Sequence, residues 1–212
     1  MVLQIPSTDS TIQPPSRNIV FVLGPPGCGK GTLCKSVATN PPGPNRFYKH
    51  LSTGDHLREL CAPNARCDAT NLDLDRIRHH LREQKLLPSE VLIPILKHKV
   101  NTAPEDAWLI DGFPRNIETA LAFEAKVAKP VMVIVLDCSR EVAMRRFLAR
   151  GRETSDDEER FNRRYDEYVE NMKAIEEHYD ENVTTVSVNG TREECRAEFA
   201  KVLPPGAKDS CI

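Results

Sequence analysis

Asn18–Thr32 reads NIVFVLGPPGCGKGT, and everything else in the chain is arranged around it. The first six residues form a short apolar run with the length and composition of a buried strand. Gly24–Thr32 then carries the glycine and lysine spacing of a P-loop. Its glycines let the backbone curl so that successive N–H groups point at one phosphate. Lys30 adds a charge that reaches the outer phosphates, and a helix beginning here aims its positive end at the same place. Pro26, Gly27, Cys28, Gly29, Lys30, Gly31 and Thr32 are therefore candidate contacts for the phosphates of a nucleoside triphosphate. Gly31 stands where a Ser or Thr usually meets magnesium, and the hydroxyl comes one step later at Thr32. Mg²⁺ accompanying the triphosphate is thus expected to be held mainly through water and carboxylates, with Asp111 the best candidate.

Working outward, apolar runs predict further strands at 46–50, 108–111, 131–137 and 184–188. Helices are expected at 30–39, 74–83, 90–100, 117–128, 140–150, 158–179 and 192–202. Strands alternating with helices predict an α/β fold: a parallel sheet covered on both faces. Ligands bind such sheets at the carboxyl ends of the strands. The unusual residues fall there, Gly24–Thr32 after the first strand and Asp111–Arg115 after the third. Residues 1–16, rich in Ser, Thr, Gln and Pro, read as a flexible leader. One compact domain is expected over 17–204, with a tail at 205–212.

Composition narrows the partners. A 212-residue chain with 40% hydrophobic residues can bury one sizeable core. Its net charge of -2 provides no general basic field for nucleic acid or an anionic membrane. Anionic ligands must be met by local arginines instead. No run approaches the roughly 20 apolar residues of a membrane span. The seven cysteines include no CxxC pair, so a disulfide framework or four-ligand zinc site is not expected. These features predict a cytoplasmic monomer with small-molecule nucleotides as partners. Trp108 reads as core, and His79, His80 and His98 as surface residues without metal spacing. Cys28 reads as an inert small residue.

Several segments together resemble the nucleoside monophosphate kinases, and the short-lid adenylate kinases most closely. They are GPPGCGKGT at 24–32, LSTGDHLR at 51–58, LLP at 86–88 and LIDGFPR at 109–115. Arg146, Arg150-Gly151, Asp156-Asp157 and Arg164 resemble the lid region. The resemblance runs from about Asn18 to Val202 and implies a five-stranded P-loop fold in three layers. It further implies a small helical insertion at about 52–87 that binds the monophosphate, and a short lid at about 151–158. The implied reaction is MgATP + NMP ⇌ ADP + NDP, with AMP the expected acceptor. By the same resemblance Lys30, Arg115, Arg146, Arg150 and Arg164 are catalytic, Arg146 and Arg150 on the ATP side. The monophosphate site comprises Thr53, Gly54, Arg58, Leu86, Leu87, Gly112, Arg115, Thr119 and Arg164. Asp156 and Asp157 look like a lid pair near the ATP ribose, with a helix N-cap as the alternative. Arg152, Arg160 and Arg163 are expected on a solvated face.

Three positions depart from the pattern. Thr119 stands where adenylate kinases usually place a Gln that reads adenine. Gln84 replaces a Gly before the L-V-P turn. The lid is shorter than in short-lid relatives, judged by the spacing from Arg150 to Arg164. Thr53 favours AMP, since pyrimidine kinases tend to have Ala there. A UMP/CMP kinase is the alternative within the same chemistry. A non-catalytic nucleotide-binding module is the alternative of another class.

Overall fold

The computed structural model describes residues 17–63, 72–104, 106–150 and 157–206. The expected leader, most of the lid and most of the tail lie outside these residues, as do Arg152 and Asp156. Five strands form one parallel sheet: β1 (Ile19–Leu23), β2 (Lys49–Ser52), β3 (Trp108–Asp111), β4 (Met132–Asp137) and β5 (Val183–Ser187). Their order across the sheet is β2-β3-β1-β4-β5. β1 is central, pairing Val22 with Asp111 of β3 on one side and with Ile134 of β4 on the other. Eight α-helices connect the strands among the described residues. They are α1 (Lys30–Thr39), α2 (Thr53–Leu60), α3 (Leu74–Glu83), α4 (Ser89–Asn101), α5 (Ile117–Lys126), α6 (Arg140–Ala149), α7 (Glu158–Tyr179) and α8 (Arg192–Val202).

The pleat of β1 divides the core. Ile19, Phe21 and Leu23 face a cluster with residues of α3, α4, α5 and α7. Val20 and Val22 face a second cluster with Leu33, Cys34, Ala143, Phe147 and Phe199 from α1, α6 and α8. All five β1 residues are buried, which is why the run is uniformly apolar rather than alternating. The layers are thus helix, sheet, helix, as the sequence led us to expect. Trp108 is core, 3% exposed.

Two readings of local structure need correction. The second strand runs over 49–52 rather than 46–50. Leu51 and Ser52 pair with Ile110 and Asp111, while Arg46 and Tyr48 instead donate to the carbonyls of Leu203 and Pro204. The C-terminal segment therefore holds the residues ahead of the strand through their side chains. Helix α2 is absent from the helices placed by apolar periodicity, although it falls in the helical insertion implied by the resemblance. It forms because Leu57 is buried on one side and Asp55 meets Arg58 one turn on, at 2.5 Å. Together α2 and α3 lie between β2 and α4, within the span expected for the insertion.

Phe21 stacks edge-on against Phe113 at 5.3 Å and Phe123 at 5.4 Å, joining β1 to α5 and to the segment after β3. Phe21→Ala should cost about 3–5 kcal/mol of stability. Urea denaturation measures it, and a loss below 1 kcal/mol would show that the cluster collapses around the gap.

Candidate active site

The site begins with the backbone of the loop between β1 and α1. Gly24, Gly27 and Gly29 all have positive φ, at 144°, 83° and 100°. At Gly27 a Cβ would sit 2.1 Å from the carbonyl oxygen of Ala143 in α6. Only glycine allows the loop to lie this close to α6. Gly29 is the residue before α1, whose first N–H groups lack intrahelical acceptors. The Lys30 ammonium folds back along the loop, donating to the carbonyls of Gly24 at 2.6 Å and Pro25 at 2.9 Å.

Two cavities open above the strand ends. The first, about 480 Å³, is lined by Pro26 through Leu33, by Asp111, and by Arg146 and Arg150. The second, about 390 Å³, is lined by Thr53, Leu86, Leu87, Phe113 and Thr119 among others. Gly54, Arg58, Gly112, Arg115 and Arg164 line both. Apart from the Asp156-Asp157 pair, every site residue expected from sequence therefore lies on one or both cavities. Three arginines mark the place where they join.

These arginines come from different elements. Arg58 closes α2, Arg115 follows β3, and Arg164 projects from α7. Burial first, and then the charges of Arg115, Arg150, Arg160 and Arg58, lower the Arg164 pKa to about 9. The Arg115 guanidinium is open to the cleft yet walled by protein, and this desolvation lowers its pKa; Glu167 partly offsets the effect. A cluster of like charges held in a half-dry cleft is unfavourable by itself. It becomes favourable when anions of opposite charge lie between the guanidiniums.

Arg146 is tied by its guanidinium to the carbonyls of Val188 at 2.7 Å and Gly190 at 2.9 Å. It also approaches the Cys28 carbonyl at 3.5 Å, which fastens the phosphate loop to the end of β5. Arg150 follows α6 and lies over the Phe147 ring, 4.0 Å from its centroid. Arg160 corrects the expectation of a solvated face. It is 8% exposed and lines the second cavity, because its place in the first turn of α7 turns it inward rather than to water. Its i+4 spacing to Arg164 was the available signal. Arg163 is exposed and donates to Gln84, so the departure at that position has a local partner. Asp157 accepts from the Arg160 amide at 2.8 Å, the geometry of a helix N-cap.

Asp111 is buried at the end of β3, and its carboxylate meets the His50 ring. Its burial and charge, with the exposed Thr32 hydroxyl across the first cavity, fit a hard cation that retains most of its water. Asp111 and burial also shape Cys34: burial first and that carboxylate second push its thiol well above the ordinary range. In the second cavity, the Thr53 hydroxyl is buried with no hydrogen-bond partner among the described residues. Thr119 is different, since its hydroxyl donates back to Asn116, whose side-chain oxygen lies 2.8 Å away.

A glycine-rich phosphate loop, a parallel sheet with its switch at β1, and arginines between two nucleotide-sized cavities define a nucleotide phosphotransferase. The comparisons give the family. Residues 22–184 match the family described as adenylate kinase, and the chain belongs to it. It is 38% identical over 165 residues to "UMP-CMP kinase 3" of Oryza sativa subsp. japonica, spanning 76% of this chain and 73% of that protein. It is 33% identical over 191 residues to "UMP-CMP kinase 3" of Arabidopsis thaliana, 86% and 89% of the two chains. It is 31% identical over 194 residues to the "Adenylate kinase" of Nautilia profundicola, 88% and 96%. The protein is a nucleoside monophosphate kinase. No described helix is long and apolar enough to cross a membrane.

Replacing Arg164 by Met keeps its stem but removes a charge from the crowded cleft. Because burial and repulsion lower the folded-state pKa, the charged form is disfavoured throughout the neutral range, and the penalty is relieved only above about 9. Arg164→Met should therefore stabilise the nucleotide-free protein by about 1–2 kcal/mol. It should also weaken nucleotide binding. Thermal melts near pH 7 and nucleotide titration check both, and a lower Tm without nucleotide would show that Arg164 is a structural anchor.

Proposed function

We propose that the protein transfers the γ-phosphoryl group of MgATP to AMP, reversibly, giving ADP. The observation that carries the transfer reading is the sharing of Arg58, Arg115 and Arg164 by both cavities. In this reading ATP occupies the first cavity, with its phosphates on the loop at 26–32. Arg146 and Arg150 flank those phosphates. AMP occupies the second cavity, with Arg58 and Arg115 on its phosphate and Thr53, Gly54, Leu86, Leu87, Gly112 and Thr119 around the rest.

The attacking group is a phosphate oxygen, largely ionised at neutral pH because its second pKa is about 6. No general base is required. The protein must align two polyanions, neutralise their repulsion and exclude water. Lys30 leaves its loop carbonyls for the transferred group, exchanging neutral acceptors for charged ones. Arg164 and Arg115 lie where charge shifts between donor and acceptor oxygens. Mg²⁺, when bound, neutralises charge on the outer phosphates, with Asp111 holding its water. Helices α2 and α3 are proposed to close over the monophosphate, while most of the expected lid, 151–156, lies outside the described residues.

AMP preference rests on Thr53. Its buried, unpartnered hydroxyl lines the acceptor cavity, and adenylate kinases carry Thr where pyrimidine kinases tend to carry Ala. A second reading, transfer to UMP or CMP, draws on the names of the plant relatives. It also draws on Thr119, whose hydroxyl is turned onto Asn116 and does not offer the longer two-sided amide of a Gln.

A coupled assay of ATP against AMP, CMP, UMP and GMP tests both readings. Lys30→Ala should lower turnover at least about a hundredfold, or ~3 kcal/mol, with the fold intact. A folded Lys30→Ala protein with a third of the normal rate would overturn the assignment of the loop. Thr53→Ala should lower the AMP-to-CMP ratio of kcat/KM about fivefold, the size of one lost hydrogen bond. A wild-type preference for a pyrimidine would reject AMP while leaving the kinase chemistry in place.

A further inference from the structure

Beneath the phosphate loop, on the face of the sheet covered by α1, three side chains of different chemistry converge. His50 of β2 pairs in register with Leu109, and Asp111 lies two residues further along β3. The pleat therefore puts His50 and Asp111 on the same face as Leu109, which belongs to the α1-side cluster. Cys34 enters that face from α1, one turn beyond Lys30. The Cys34 sulfur, a His50 ring nitrogen and an Asp111 carboxylate oxygen all lie within 4.8 Å of one another. Cys34 is fully buried, and the His50 and Asp111 side chains are 15% and 9% exposed.

We propose that Cys34, His50 and Asp111 form a binding site for a thiophilic divalent cation of the Zn²⁺ class. Zinc takes sulfur, imidazole nitrogen and carboxylate oxygen together, whereas magnesium seeks oxygen and retains its water. Three protein ligands leave a fourth position for water or a phosphate oxygen. Asp111 also lines the first cavity, so the ion has a route from the cleft.

The charge balance suits a buried site. The thiol proton leaves to solvent as the sulfur–metal bond forms. Asp111 binds as the carboxylate and His50 as neutral imidazole. The sum of a dication, a thiolate and a carboxylate is zero, so no net charge remains buried. No electron is transferred. Ligand atoms around tetrahedral zinc lie about 3.3–3.8 Å apart, given bonds of about 2.0–2.3 Å. The His50–Asp111 contact must therefore open and the sulfur must draw closer, which side-chain rotation on three fixed backbones supplies.

The site has a functional consequence that rests on the proposed role of Asp111. A zinc ion on Asp111 takes the carboxylate assigned to the waters of Mg²⁺, so binding should stop phosphoryl transfer.

The test uses the full chain, metal-free, titrated with Co²⁺ alone. A thiolate-to-cobalt charge-transfer band should appear and saturate at one ion per chain, then vanish on adding Zn²⁺. Cys34→Ser should abolish the band. His50→Gln should weaken binding at least about tenfold, and it decides the matter if Cys34→Ser does not fold. Cys195→Ser, distant in sequence and on α8, should keep the band. An unchanged band in folded Cys34→Ser, or unchanged affinity in His50→Gln, overturns the site. In the kinase assay Zn²⁺ should inhibit the wild type but not Cys34→Ser. Cobalt and zinc binding through Cys34 without inhibition would leave the site standing and overturn the role given to Asp111.

Discussion

The pairing of β1 with β3 on one side and β4 on the other is the constraint on which the molecule depends. It sets Val22 beside Asp111, so the phosphate loop and the Asp111–Arg115 segment leave the sheet at the same level. Parallel strands leave in the same direction, and the central strand is where the order reverses between its neighbours. A crevice must therefore open above β1. The loop that fills one wall can lie against α6 only because Gly27 has no Cβ. Phe21, on the other face, locks the same strand to Phe113, two residues after Asp111. Core and site are thus positioned by one strand.

Much of this was legible in the chain because buried parallel strands are uniformly apolar and their ends carry unusual residues. IVFVL and MVIVLD announce themselves, and glycines crowded before a lysine have few other uses. Helix α2 was harder to see. Its Thr-Gly-Asp start has turn chemistry, and the helix depends on tertiary burial of Leu57 rather than on propensity. The start of β2 was misplaced for a related reason. The Arg46 and Tyr48 side chains ahead of it reach carbonyls at Leu203 and Pro204, more than 150 residues away, and no local pattern encodes such a partner. Arg160 illustrates the same limit for charge. Spacing places it on the face of Arg164, but only packing decides whether that face meets water or a cavity.

The arginines also explain how stability and chemistry are opposed in this fold. Burial first, and then the charges of Arg115, Arg150, Arg160 and Arg58, lower the pKa of Arg164. Such a cluster costs stability in the unliganded protein. That cost is relieved when polyanions enter, so differential stabilisation is largest where negative charge concentrates between donor and acceptor. A weaker cluster would give a more stable protein with less to gain from its ligands.

Specificity is a smaller effect on this background. The charge-assisted bonds to two phosphates each contribute roughly 1.5–3 kcal/mol, whereas one hydroxyl reading a base contributes about 1 kcal/mol. A single change such as Gln to Thr at position 119 can therefore shift the preferred base without touching the transfer machinery. Under the proposed reading, the choice of acceptor base falls to Thr53 and Thr119 rather than to the arginines. The Asn116 contact of Thr119 sharpens the point. A hydroxyl already satisfied by its own helix cap has little to gain from a base, so the proposed AMP reading rests on the unsatisfied Thr53 hydroxyl within the second cavity.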